Sequence, residues 1–370
     1  VLERWGKEVD FFFFRPAALL LEKEIKVQVL EETVMLWRLG ILLVVAALVL
    51  AGCGGAPAES ADEGAPTEEL RPVTMALPFI PNVQFAMFYV AAEKGYYREA
   101  GLDVAFDYNF ETDVVQRTAQ GNVDFAMAGA TSVLLARQQG LPIVTVATIY
   151  QQFPVVFFSK TAQAIASVPA MADRSVGLPG RFGDSYYALL AMLYANDMQE
   201  ADLDIQEIGF TQVEALLTDQ VEVATGYAMN EPVLLRQQGE ELNIIRVADE
   251  FPLASNGIIA SEQMIAEDAE TVQAFVTATM RGLADTLANS DEAFELSLAQ
   301  IPEAELGDPE LQRTVLEESL PYWQSELTET NGLGYIDGAS WQQTEQFMQD
   351  TGLLSGPVEV AAAFTNAFVE

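Results

Sequence analysis

Taken together, six short segments of this chain, each beside glycine or proline, supply aromatic rings and uncharged amides. They are Pro78-Phe79-Ile80-Pro81-Asn82-Val83-Gln84-Phe85, Ala128-Gly129-Ala130-Thr131-Ser132, Tyr150-Gln151-Gln152-Phe153-Pro154, Pro179-Gly180-Arg181-Phe182-Gly183-Asp184-Ser185-Tyr186-Tyr187, Gly226-Tyr227-Ala228-Met229-Asn230-Glu231-Pro232 and Ser255-Asn256-Gly257. Aromatic faces stack on flat π-systems, and amides pair with ring nitrogens and carbonyls without adding net charge. Such a set suits a planar, neutral, heteroaromatic molecule. The candidate ligand-binding residues are therefore Phe79, Asn82, Gln84, Phe85, Thr131, Tyr150, Gln151, Phe182, Asp184, Ser185, Tyr186, Tyr227, Asn230, Glu231 and Asn256. For Phe85, which shares a helical spacing with Phe88 and Tyr89, a core role competes with the binding role. Thr131 or Ser132 can cap the helix that follows and leave free N–H groups facing a cleft. Arg181 is the one cation in these loops. It keeps a phosphorylated or sulfonated ligand in view, although among acidic neighbours a salt bridge is the more ordinary use.

What the chain lacks narrows the chemistry further. Its 370 residues include no histidine, so there is no imidazole triad, no histidine-ligated metal and no histidine base. A single cysteine, Cys53, excludes an internal disulfide and any multi-cysteine metal site. No catalytic residue, metal or cofactor is expected. With 18 Lys+Arg against 55 Asp+Glu, the chain has a formal net charge of −37, which argues against nucleic acid as a partner. Carboxylate pairs such as Glu240/Glu241 read as solvated faces rather than acid–base or calcium sites.

The loops need elements to hold them at one edge. From Arg71 onward short apolar runs alternate with helical stretches, the pattern of α/β architecture. Strands are expected at 73–78, 102–108, 123–127, 143–149 and 153–159, with helices at 84–100, 113–120 and 131–139. A second series follows, with strands at 175–178, 205–208, 223–226, 244–247 and 257–259 and helices at 184–197, 213–219 and 231–238. Beyond Ser261 the chain turns helical, over 267–289, 291–300, 309–320, 340–350 and 358–368. The β–α order implies mostly parallel sheet covered on both faces. Two such series imply two lobes, with ligand held outside the carboxyl ends of the strands and with closure by hinge motion near 153–160 and 246–259.

The start of the chain reads as an address. Met35-Leu-Trp-Arg38 precedes the apolar run 39–50 and then Leu50-Ala51-Gly52-Cys53. A short basic start, an apolar core and small residues before a cleavage point make a secretory signal. The run is too short to span a bilayer, which takes about 20 apolar residues. Leu-Ala-Gly-Cys resembles the bacterial lipobox, which implies lipidation of Cys53. Residues 35–52 are then the signal peptide, and the Gly/Ala/Pro/Glu-rich stretch 53–70 a flexible tether. Residues 1–34 fit no such scheme, so translation is expected to start at Met35. The part from Cys53 onward carries 12 basic and 48 acidic residues. Such acidity favours solubility and repels anionic lipid headgroups.

Three further features carry a resemblance: Asn82, the string Tyr89-Val-Ala-Ala-Glu-Lys94-Gly-Tyr-Tyr97, and Ala100-Gly-Leu-Asp-Val104. Together they resemble the ABC-transporter solute-binding proteins that include thiamine-pyrimidine-precursor binders, relatives of the nitrate, sulfonate and taurine binders. The resemblance covers 71 to about 260 well and the helical tail loosely. It implies a type II periplasmic-binding fold with lobe 1 at 71–158, lobe 2 at 159–250, and 251–370 returning to lobe 1 before the C-terminal helices. It also implies a monomer that hands a small molecule to an ABC permease and its ATPase, held at the outer face of the membrane by lipid. Tyr150-Gln-Gln-Phe-Pro154 and Gly226-Tyr-Ala-Met-Asn-Glu-Pro232 look like the branch that includes riboflavin binders. Asp184, Asn230 or Glu231 would there accept from ribityl hydroxyls. Gln84-Phe85 stands where the pyrimidine branch often has a histidine after the asparagine, which favours the flavin. An aminopyrimidine, a sulfonate or nitrate-type anion, and a ligand-sensing role stay open. The related lysine-bound pyridoxal pyrimidine synthase also spends a histidine, which this chain does not have. Its only lysines beyond the signal segment, Lys94 and Lys160, are poor Schiff-base candidates.

Overall fold

The computed structural model describes residues 70–303 and 307–369. Cys53 and the signal and tether read around it lie outside those residues. Ten strands form two five-stranded sheets. They are β1 (Arg71–Leu77), β2 (Leu102–Tyr108), β3 (Phe125–Gly129), β4 (Ile143–Thr148), β5 (Val155–Lys160), β6 (Ser175–Leu178), β7 (Asp204–Glu207), β8 (Val223–Tyr227), β9 (Leu242–Arg246) and β10 (Asn256–Ser261). The first sheet has the order β2-β1-β3-β10-β4 and the second the order β7-β6-β8-β5-β9.

Both sheets are mixed, where the β–α alternation led to an expectation of mostly parallel pairing. The difference has one cause. In each sheet a strand arriving from the other sheet runs antiparallel: β5 between β8 and β9, and β10 between β3 and β4. The remaining pairs, β1 with β2 and β3, and β6 with β7 and β8, are parallel. Strands β3, β4 and β10 are buried throughout, which fits their near-continuous apolar sequences.

The helices are α1 (Ala86–Glu93), α2 (Tyr96–Glu99), α3 (Glu111–Ala119), α4 (Ala130–Gln138), α5 (Gly183–Ala195), α6 (Gln212–Leu217), α7 (Glu231–Gln237) and α8 (Val247–Glu250). Then follow α9 (Glu262–Glu267), α10 (Ala269–Ala288), α11 (Ser290–Gln300), α12 (Pro309–Ser319), α13 (Glu326–Asn331) and α14 (Gly338–Asp350). The helix expected over 84–100 is broken at Gly95, whose φ of +77° is a left-handed conformation that lets the chain restart as α2. Its beginning is a 3₁₀ turn, Val83–Phe85, in which the Asn82 side chain accepts from Gln84 N.

Helix α10 lies along α1, and Phe275 on α10 stacks on Phe125 and Tyr97 with ring centroids 4.1 and 5.3 Å apart. The expected final helix, 358–368, reduces to a 3₁₀ turn at Val360–Ala362. Its later residues instead pair with β4: Thr145 N–H donates to Ala363 O and Thr365 N–H to Thr145 O. That pairing occupies the free edge of β4, a stronger use of backbone groups than one more exposed turn.

Candidate functional site

The antiparallel strands set the site. In a parallel sheet only strand carboxyl ends reach the binding edge, but β5 and β10 run the other way and begin there. Asn256, the first residue of β10, pairs with Gly129, the last of β3. Val155, the first of β5, pairs with Tyr227, the last of β8. Residues from both sheets thus meet where β3 ends, β8 ends and α5 begins.

Asp184, in the first turn of α5, is the hub of this meeting point and is only 5% exposed. Its Oδ2 accepts hydrogen bonds from Tyr227 Oη (2.9 Å) and Asn256 Nδ2 (2.7 Å). Its Oδ1 has no partner and lies 2.5 Å from where a Cβ on residue 129 would stand, so glycine at 129 is what lets the carboxylate approach. Thr131 is fully buried beside the carboxylate, and its hydroxyl has no hydrogen-bond partner of accepted geometry. Tyr150 packs edge-on against Tyr227 with ring centroids 6.4 Å apart, and against Trp323 at the same separation. Trp323 Nε1 lies near Tyr150 Oη, yet neither atom makes a hydrogen bond of accepted geometry. Four buried polar atoms from four residues are therefore unspent around one cluster of rings. Buried polar groups are normally satisfied, so these four atoms, which lie as two neighbouring pairs, Thr131 with Asp184 and Tyr150 with Trp323, make the cluster a candidate site.

The electrostatics are those of carboxylates removed from water. Burial raises the pKa of Asp184, and the bonds from Asn256 and Tyr227 only partly offset it. Glu111, the first residue of α3, accepts from Gly129 N at 2.7 Å, and burial plus the nearby Asp184 charge raise its pKa well above the usual carboxylate range. Glu231 accepts from Tyr227 N at 3.0 Å and is pushed up to about 7 by burial. A Cβ at Gly226 would stand 2.2 Å from Glu231 Oε2, so that glycine is needed to seat this carboxylate. The Tyr227 and Tyr150 hydroxyls are raised by burial, and Tyr227 also by Asp184. All of these groups are biased toward their neutral, donor-bearing forms.

Of the residues proposed from sequence, Thr131, Tyr150, Asp184, Tyr227 and Asn256 come together here, with Glu231 one bond away. Asn230 precedes α7, half-buried, its N–H donating to Tyr227 O. Gln151 lies beside Tyr150 but its amide is engaged: Nε2 donates to Thr148 O and Tyr335 O, and Oε1 accepts from Ser325 Oγ. Gln84 and Phe85 are buried, and Phe85 belongs to the hydrophobic core. Asn82 is buried as a cap, while Phe79 and Phe182 are exposed on strand-end loops. Ser185 is half-buried on α5, and the Tyr186 hydroxyl donates to Glu200 at 2.8 Å. Arg181 is paired with Glu200 and, at 3.6 Å, with Glu207.

Glu111, Gly129 and Trp323 complete the cluster and were not among the sequence candidates. Glu111 sits in Phe110-Glu111-Thr112-Asp113, a segment that reads as an ordinary acidic helix start. Trp323 follows Leu320-Pro321-Tyr322, a proline-aromatic break in an otherwise helical tail, and that break was the available signal.

Comparison with known proteins places this geometry. The sequence pattern of the family described as NMT1/THI5 like matches residues 82–293. The chain is 56% identical over 342 residues to the riboflavin-binding protein RibY of Chloroflexus aurantiacus, covering 90% of this chain and 96% of that protein. It is 29% identical over 338 residues to the formylaminopyrimidine-binding protein of Halalkalibacterium halodurans, covering 88% and 97% of the two chains. Among solved structures, the periplasmic aliphatic sulphonate binding protein SsuA of Escherichia coli superposes with a TM-score of 0.63 at 12% identity, over 79% of this chain and 91% of that one. At that identity the likeness concerns the fold, which is that of periplasmic binding proteins.

Proposed function

The chain belongs to the NMT1/THI5-like family and has a solute-binding role, and from that premise we propose that it is the extracytoplasmic binding subunit of an ABC importer with riboflavin as its cargo. The observation that carries the ligand reading is the ring-and-carboxylate cluster of Tyr150, Tyr227 and Trp323 around Asp184 and Asn256, with its unspent polar atoms. An isoalloxazine offers a flat face for the rings and a ribityl chain of hydroxyls for carboxylate and amide acceptors. The likeness to a riboflavin-binding protein over nearly the whole chain supports the same choice.

The formylaminopyrimidine-binding relative makes an aminopyrimidine the second reading. Simple anions are disfavoured, because the one cation of the strand-end loops, Arg181, is already held by Glu200 and Glu207. Enzyme chemistry on a lysine is disfavoured too. Lys94 is held by Asp285 and Glu292, and Lys160, at the far end of β5 from the site, by Asp219 and Leu217 O. We place the protein outside the cytoplasmic membrane, tethered by a lipid on Cys53 and delivering ligand to a permease driven by its ATPase. Lobe 1 over 71–158, lobe 2 over 159–250 and a return at 251–370 form the clamp in this reading.

An absorbance spectrum of the purified protein, followed by fluorescence titration with riboflavin and with formylaminopyrimidine, tests it. Yellow protein or flavin quenching at an equivalent near one per chain is the expected result. Binding of the pyrimidine alone would transfer the assignment to the second reading. Binding of neither would end it.

A further inference from the structure

Phe110 and Phe210 are the two most exposed large apolar side chains among the described residues, at 62% and 59%, and they lie against one another. Their rings stack with centroids 5.8 Å apart and planes 16° from parallel. One ring comes from each sheet, since Phe110 follows β2 and Phe210 follows β7. Neither is part of the hydrophobic core.

Local structure holds both rings out. Asn109 Oδ1 accepts from Phe110 N at 2.8 Å, and Phe110 O accepts from Asp113 N and Val114 N, which fixes residue 110 as the extended start of α3. Phe210 stands at the tip of a turn in which Gly209 has a φ of +61° and Thr211 Oγ1 donates to Ile208 O at 2.7 Å. Each ring is thus presented by a preformed turn, so little ordering is left to do when the two meet.

The pair stands as far from the crossing strands as the sheets allow. Strands β2 and β7 are edge strands, each three places from the crossing strand of its sheet, β10 in the first and β5 in the second. At about 4.8 Å per place, the lever is roughly 14 Å. A rotation of about 20° around the crossings would part the rings by roughly 5 Å. Up to half of a dispersion contact is gone within about 1 Å of separation, so the stack exists only when the halves are closed. The bond from Asn256 to Asp184 starts from the first residue of β10 itself and is moved less by the same rotation.

We propose that Phe110 and Phe210 form a latch across the mouth of the clamp, a contact made by closure that favours the closed form and slows release of the cargo. The inference rests on the hinged clamp of the proposed function and not on the identity of its cargo. In this assignment both rings act through the equilibrium between open and closed forms. One exposed aromatic pair shifts that equilibrium by about 3–10-fold.

The test compares the full chain with Phe110→Ala, Phe210→Ala and the double variant at one pH and ionic strength, with circular dichroism as the check on folding. In stopped-flow flavin fluorescence, riboflavin should leave each single variant about 3–10-fold faster, with association changed by less than about 2-fold. The double variant should release no faster than the singles, because either alanine already removes the whole contact. Small-angle scattering of the ligand-free proteins should give a larger radius of gyration for all three variants than for the unaltered chain. Unchanged release together with unchanged dimensions overturns the latch. Losses that multiply in the double variant overturn it as well, since they show two rings acting independently, each on the cargo. If riboflavin does not bind the unaltered protein, the cargo assignment falls, and scattering alone decides the latch: expanded variants support it and identical dimensions overturn it.

Discussion

At the scale of single residues, Tyr227 does two jobs that a mutation separates. Its ring packs edge-on with Tyr150, and its hydroxyl donates to the Asp184 carboxylate at 2.9 Å. Because it is only partly buried at the end of β8, where its ring packs against the edges of both hydrophobic clusters, Tyr227→Ala should cost some stability but leave the fold intact. Tyr150 is more deeply buried, so Tyr150→Ala carries a larger packing cost. If the rings stack on the ligand, each alanine variant should weaken binding by about 1–3 kcal/mol, the worth of a lost aromatic contact. Calorimetric titration of both variants, with melting curves to separate affinity from stability, checks this. Unchanged affinity in both would place the ligand elsewhere. The unpartnered Thr131, Trp323 and Asp184 atoms belong to the same scale, since a buried polar atom without a well-formed hydrogen bond costs stability.

The elements explain both what could be read in advance and what could not. Strands β2 and β6 have the boundaries that alternation and glycine placement indicate, because Gly101 and the polar residues around Ser175 punctuate them sharply. The loops carrying Asp184, Tyr227 and Asn256 were legible for a related reason: polar residues beside glycine at strand ends have few structural uses. Glu111 was not legible, and Trp323 only as a proline-aromatic break in the helical tail, because their roles come from contacts far along the chain that local pattern does not encode. The antiparallel course of β5 and β10 was hidden likewise, as strand direction depends on which sheet the chain enters. Close packing between α10 and α1 is another non-local feature. A Cβ on Gly282 of α10 would stand 2.2 Å from the Met87 carbonyl oxygen and 2.9 Å from Ala91 Cβ, so the helices touch only because residue 282 has no side chain. Gly282→Ala gains helix propensity worth about 1 kcal/mol but must force the helices apart. The overlap is with backbone, so the net effect should be a loss of about 1–3 kcal/mol by urea denaturation. A stabilised variant would mean that the contact yields more easily than its geometry implies.

At the scale of the whole molecule, the two sheets bring their strand-end loops against one another, and the contacts have a chemical signature. Asn256 beside β3 donates to Asp184 of α5, and Phe110 before α3 stacks on Phe210 before α6 at 5.8 Å, though both rings are largely exposed. Phe110 is next in sequence to Glu111, so the same helix start brings a ring and a carboxylate to the opposite half. If the halves open and close, as we propose, closing removes Glu111 and Asp184 from water and raises both pKa values. When the halves part, Glu111 regains the ordinary value of about 4.3, whereas in the closed form it titrates well above that. Closure therefore takes up a proton. Its favourable contribution is complete below the open-form value and is lost as pH rises through the closed-form value. Small-angle scattering of the ligand-free protein should accordingly show a smaller radius of gyration at pH 5.5 than at pH 8. The chain's large negative charge pushes in the same direction, so the decisive comparison is Glu111→Gln, which removes the local proton and keeps nearly all of the global charge. That variant should stay compact across the range, and saturating riboflavin should compact the unaltered protein at both pH values by supplying the donors that protons otherwise provide. A pH dependence identical in variant and unaltered protein would assign the effect to overall charge and detach closure from the carboxylate pair.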